Sequence, residues 1–72
     1  MAEIRFFGYL CDLVGTRVKE VALECPTALR ELVPPTFPET NIIILINGKP
    51  GSLNSKITDK DSVVFMPVLS GG

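Results

Sequence analysis

The 72-residue chain contains no histidine and no tryptophan. Losing histidine removes the commonest general base and the commonest metal ligand at neutral pH. Its two cysteines, Cys11 and Cys25, are too few for a disulfide scaffold and lack the paired spacing of a zinc site. Aromatic residues are 7% of the chain, which leaves no platform for stacking bases. Seven basic and eight acidic side chains give a net charge of −1, so a clustered basic surface for nucleic acid is not expected. The longest unbroken apolar run, Ile42–Ile46, is far too short to cross a bilayer. The opening Met1-Ala2-Glu3-Ile4-Arg5 lacks the charged and apolar regions of a signal peptide, so a reduced, cytoplasmic setting is expected, with no membrane partner. There is no Walker motif and no glycine-rich phosphate cradle, so any ATP chemistry belongs to a partner.

Hydrophobic side chains, by contrast, are plentiful at 46%. That suffices for one small domain over residues 1–72, near the lower size limit for a self-sufficient core. The surplus predicts an apolar surface patch for a partner. Residues 3–7 read as a strand, with Ile4 and Phe6 on one face and Arg5 and Phe7 on the other. Gly8 ends it. Residues 9–14 carry Leu10, Leu13 and Val14 at helical spacing, with Gly15 as a C-cap. Residues 17–24 read as a second strand in which Lys19, Val21 and Leu23 share a face.

After Cys25-Pro26, Thr27 is placed to N-cap a short helix over residues 28–33, with Leu29, Leu32 and Val33 inward. Pro34-Pro35 stops that helix. The β-branched run Ile42–Ile46 reads as a strand buried on both faces or central in its sheet. Asn47-Gly48 is the strongest short-range turn signal in the chain. Residues 53–57 read as irregular, residues 58–61 as a polar turn, and residues 62–66 as a last strand. That strand sets Val63 and Phe65 opposite Val64 and Met66, and Pro67 ends its ladder.

The sequence then closes on Ser70-Gly71-Gly72. A glycine pair without Cβ atoms threads into a slot that any side chain would block, and it delivers an unencumbered α-carboxylate. That carboxylate is ionised at neutral pH and becomes an acyl donor only after one of its oxygens is made a leaving group, as by adenylation. Gly72 is thus the candidate reacting residue and Gly71 its clearance, on a flexible tail over residues 70–72. The alternative is a frayed terminus.

These residues, taken in order, resemble the small sulfur carriers typified by MoaD, with ThiS as a cousin. The likeness runs through Ile4-Arg5-Phe6-Phe7, Asp12-Leu13-Val14-Gly15-Thr16 and Leu45-Ile46-Asn47-Gly48. It continues through Thr58-Asp59-Lys60-Asp61-Ser62-Val63 to Phe65-Met66-Pro67-Val68 and Ser70-Gly71-Gly72. The Pro-Val-Leu-Ser-Gly-Gly ending is nearer the molybdopterin branch. The resemblance implies an α+β, ubiquitin-like β-grasp fold, a twisted mixed sheet packed on one short helix. It implies no bound cofactor but a C-terminal thiocarboxylate on Gly72, formed after adenylation by a ubiquitin-activating-type adenylyltransferase that uses ATP. The sulfur then passes to the molybdopterin synthase large subunit. The chain would be the sulfur-donating small subunit and not catalytic alone.

Phe7, Met66 and Pro50 fall at positions where the resemblance implies apolar contact with these partners. As residues alone, Phe7 and Met66 read equally as core. Three departures stand out: Cys11 where the family usually has Arg, a shortened helix, and Lys60 where Gly is common. Both cysteines read as small buried hydrophobes, and the lysines as a solvated surface. Other functions use the same features: a protein modifier joined to lysines through Gly72, a thiamine-pathway carrier, or an interaction module whose tail is never activated.

Overall fold

The computed structural model describes residues 1–68, so the expected diglycine tail, with Gly71 and Gly72, lies outside the described residues. Strand β1 (Ala2–Phe6) leads to the single α-helix among them, α1 (Leu10–Val14), and then to β2 (Val18–Val21). Two-residue strands β3 (Thr27–Ala28), β5 (Lys49–Pro50) and β6 (Lys56–Ile57) flank the longer β4 (Ile42–Ile46) and β7 (Ser62–Pro67). The main sheet has the order β2-β1-β7-β4-β5, and β3 pairs with β6 in a second small ribbon. β1 runs parallel to β7, while the other main pairings are antiparallel.

The first and last strands therefore lie side by side at the sheet centre. Alternation along them aims Ile4, Phe6, Val63 and Phe65 at one face, and all four are buried. Ile44 of β4 joins them, and Leu10, Leu29, Phe37, Leu53 and Ile57 cover them. Phe6 and Phe65 stack with centroids 5.3 Å apart, and Phe37 meets both rings edge-on at 6.0 and 5.1 Å. Offset stacking with edge-to-face closure is the favoured arrangement of aromatic quadrupoles.

The helix expected over residues 28–33 is not an α-helix. Ala28 is extended (φ −68°, ψ 140°), and a 3₁₀ turn follows over Leu29–Leu32. Thr27 does not cap it, because its hydroxyl donates to the Cys25 carbonyl. The amides of Leu29 and Arg30 donate instead across to Ser55 and Leu53. Pairing of Thr27 and Ala28 with Ile57 and Lys56 holds the start of the segment extended, and the residues left before Val33 close only as a 3₁₀ turn. Pro34 also forces Val33 into an extended conformation (φ −124°, ψ 158°). The same cross-connection makes part of the stretch read as irregular into β6.

Other local expectations divide. Gly15 caps α1 at φ 89°, and of the apolar residues at helical spacing Leu10 is buried and Leu13 exposed. Asn47 and Gly48 have φ of 52° and 81°, the signs a type I′ turn requires, and join β4 to β5 in a two-residue hairpin. β4 is an interior strand as expected, yet Ile43 is 41% exposed, because only one face of the sheet is covered. Lys60 is tolerated in its turn without positive φ. The ladder extends to Pro67, which pairs with Ile42, and beyond it the Val68 amide donates to Asn41. Pro67 presents its missing N–H toward the side where β1 has already ended, so no hydrogen bond is lost.

Candidate functional site

The uncovered face of the sheet is apolar. The parallel register of β1 and β7 sets Arg5 beside Val64, and the antiparallel register sets Val64 opposite Leu45 and Met66 opposite Ile43. By strand alternation Phe7, Val64, Met66, Val68, Ile43 and Leu45 share this outer face. Pro50, opposite Leu45, and Val18, opposite Arg5, continue it to either edge. Phe7 is 49% exposed and Val68 47%, whereas Met66, Val64 and Leu45 are half-buried among their neighbours. The outward positions of β7 and β4 from 64 to 66 and 43 to 45 carry no charge. Charge is confined to the β2 side, where Arg5 pairs with Glu3 at 3.1 Å and Glu20 lies opposite Glu3.

Phe7 holds its place because its amide donates to Phe65 at 3.0 Å, one step beyond β1. Gly8 then turns the chain at φ 59°. An open cleft of about 500 Å³ borders the face here, lined by Arg5, Phe7, Gly8, Cys11, Arg17 and Val18. Cys11 is half-buried and its Sγ donates to the Gly8 carbonyl at 3.1 Å.

Phe7, Met66 and Pro50, singled out from the sequence, are thus brought to one surface, and the core alternative for Phe7 is removed by its exposure. Val64, set on the same side of the last strand as Met66, faces outward with it and is half-buried. The sequence reading missed Ile43, Leu45, Val18 and Val68. The signal for Ile43 was its alternation with Ile44, masked by a run in which every residue is apolar. Cys25 is exposed, contrary to its reading as a buried hydrophobe, and Cys11 is only half-buried. Three lysines are exposed as expected, but Lys19 is half-buried on the inner face and its Nζ donates to Leu32 O at 3.2 Å.

At the far end of β7 a polar clamp fixes the strand. Asp61 accepts from the Thr58 amide at 2.7 Å and from Asn47 Nδ2 at 2.9 Å. Those two donors, the Thr58 amide first, hold its carboxyl below the ordinary 3.8. Asp59 is lowered likewise, first by the Leu23 amide and then by the N-terminal ammonium. No helix among the described residues is long and apolar enough to cross a membrane.

A mixed sheet with parallel central strands, covered on one face and apolar on the other, defines a protein of the ubiquitin-like β-grasp class. SAMP1 of Haloferax volcanii has this fold, with a TM-score of 0.72 and 18% identity over 99% of this chain and 98% of that one. So does a Pyrococcus furiosus chain assigned as molybdopterin converting factor subunit 1, with a TM-score of 0.67 and 19% identity over 94% and 97%. No family model matches the sequence. The molybdopterin synthase sulfur carrier subunit of Escherichia coli is 31% identical over 81 aligned positions, covering 100% of both chains. The chain belongs to the family of molybdopterin synthase sulfur carrier subunits.

Proposed function

We propose that this protein carries sulfur for molybdopterin synthesis on the carboxyl end of Gly72 and docks through the face around Phe7 and Met66. The carrying observation is that the outer sheet face is uncovered, apolar and uncharged at its centre, in a chain aligned end to end with a sulfur carrier subunit. Apolar surface of this kind is characteristic of a partner-binding site. Strand β7 contributes Val64 and Met66 to that face, and Val68 follows directly after it, next to residues 69–72 in the chain. A partner that grips the face is positioned to receive the glycine tail.

The chemistry follows from the carboxylate. An oxygen of the Gly72 α-carboxylate attacks the α-phosphorus of ATP in an adenylyltransferase of the ubiquitin-activating type, and pyrophosphate leaves. A sulfide-equivalent nucleophile then attacks the acyl carbon and expels AMP, leaving a thiocarboxylate. In the complex with the synthase large subunit, that sulfur is passed to the molybdopterin precursor. This chain contributes no catalytic side chain of its own; it supplies the acyl group, its clearance at Gly71 and a docking face. The setting is the cytoplasm.

Deleting Gly72 tests the assignment of the reacting residue. ATP-dependent pyrophosphate release with the adenylyltransferase is expected to disappear while the urea midpoint of the carrier stays unchanged. Continued pyrophosphate release from the truncated chain would overturn it.

A further inference from the structure

Asn47 and Gly48 close the hairpin between β4 and β5, and the Asn47 side chain is fastened at both ends. Its Nδ2 donates to Asp61 Oδ1 at 2.9 Å, and its Oδ1 accepts from the Ser62 amide at 2.9 Å. The Asn47 backbone amide also donates to Ser62 O at 2.7 Å. The second oxygen of Asp61 takes the Thr58 amide at 2.7 Å and the Thr58 hydroxyl at 3.3 Å. One carboxamide therefore ties together the hairpin turn, the 58–61 turn and the start of β7.

The same pair is chemically reactive. Asparagine side chains are labile, and a following glycine has no Cβ to shield its nitrogen from attacking the carboxamide carbon. We propose that Asn47 is a self-modification site, converted to aspartate or isoaspartate only when the clamp to Asp61 and Ser62 opens. Gly48 N attacks Asn47 Cγ and loses its proton, the C–N bond to Nδ2 breaks, and ammonia leaves with a succinimide ring behind. Water then opens either ring carbonyl, so one water is consumed and one ammonia released overall, with no oxidant or cofactor.

Both products keep the clamp from closing again. Aspartate at position 47 replaces the donor facing Asp61 with a second carboxylate, losing a charge-assisted hydrogen bond and opposing like charges. Isoaspartate adds a methylene to the backbone of a two-residue turn whose positive φ values match the strand twist. Either change loosens β5, and with it Pro50, at one edge of the apolar face. The conversion is irreversible, so it records how often the clamp has opened.

The test incubates the full chain at neutral pH, with and without urea, and follows the change by intact mass and by mapping the peptide that spans Asn47 and Gly48. Conversion is expected to be at least about tenfold slower in the folded protein, because it must wait for local opening. Asp61→Ala, which frees Nδ2, is expected to convert about tenfold faster than wild type, the effect of one such hydrogen bond on an opening equilibrium. Asp61→Asn has one acceptor oxygen and no charge where the carboxylate serves Asn47 with one oxygen and Thr58 with the other, so it is expected to convert at a rate between wild type and Asp61→Ala. Asn47→Asp, made directly, should show faster hydrogen exchange at the Ser62 amide. Equal rates with and without urea overturn the proposal, as does a folded Asp61→Ala that converts as slowly as wild type. Unchanged exchange at Ser62 in Asn47→Asp overturns the claim about the product.

Discussion

A Cβ placed on Gly8 would stand 2.8 Å from Cγ of Pro67 and 3.3 Å from its Cδ. The residue that turns the chain out of β1 and the residue that closes β7 are thus fitted to each other. The contact sits at the corner where Phe7 and Met66 reach the outer face. Gly8 also has φ 59°, so a side chain there meets both a rigid ring and an unfavourable backbone.

Gly8→Ala is therefore expected to destabilise by about 1–3 kcal/mol. Gly15→Ala, at φ 89° but facing open space, bears the backbone strain alone and should cost only about 1 kcal/mol. Urea melts of the two variants check the order. A Gly8→Ala protein as stable as Gly15→Ala would show that the Pro67 ring yields freely.

Truncation should separate the two faces of the sheet. Leu29→Ala or Ile44→Ala removes a buried aliphatic and is expected to cost about 2–5 kcal/mol, a large share of what so small a domain possesses. Ile43→Ala, on the outer face, should cost less than about 1 kcal/mol. The comparison by chemical denaturation reads the sidedness of β4 directly.

Acid should weaken the fold through Asp59 and Asp61. Both carboxyls are held below their ordinary 3.8 in the folded protein. A depressed folded pKa contributes stability above the unfolded value, and that contribution is lost as pH falls from about 3.8 through the lower folded value. The melting temperature is thus expected to hold from neutral pH to near 4 and to decline below it. Asp61→Asn should flatten part of that decline, and an unchanged acid profile would remove the clamp from the stability account.

Docking should be separable from folding at Met66. Met66→Asp places a carboxylate in the half-buried centre of an uncharged face, where a partner would desolvate it without a counter-charge. Binding to the adenylyltransferase is expected to weaken far more than the urea midpoint falls. Added salt should change the on-rate only slightly, given a net charge of −1. If Met66→Asp binds normally, the docking face lies elsewhere.

Much of this architecture is legible in the sequence because local and tertiary signals agree there. Period-two alternation places Ile4, Phe6, Val63 and Phe65 correctly, and Asn47-Gly48 marks its hairpin turn. The segment from Thr27 to Val33 is illegible for a physical reason. Its helical spacing is real, but Thr27 and Ala28 pair with Ile57 and Lys56, far along the chain, and that pairing holds the start of the segment extended. The candidate face was half visible. Phe7, Met66 and Pro50 were indicated by family likeness, whereas Ile43 and Leu45 were hidden in a run with no polar residue to mark its outer side.

The most direct test of the sulfur-carrier account is the intact mass of the protein isolated from its native cells. The account predicts a species heavier than the unmodified chain by the difference between one sulfur and one oxygen, localised to Gly72 and absent when the adenylyltransferase is deleted. A chain carrying only the free carboxylate, with Gly-Gly remnants found instead on lysines of other proteins, would contradict it.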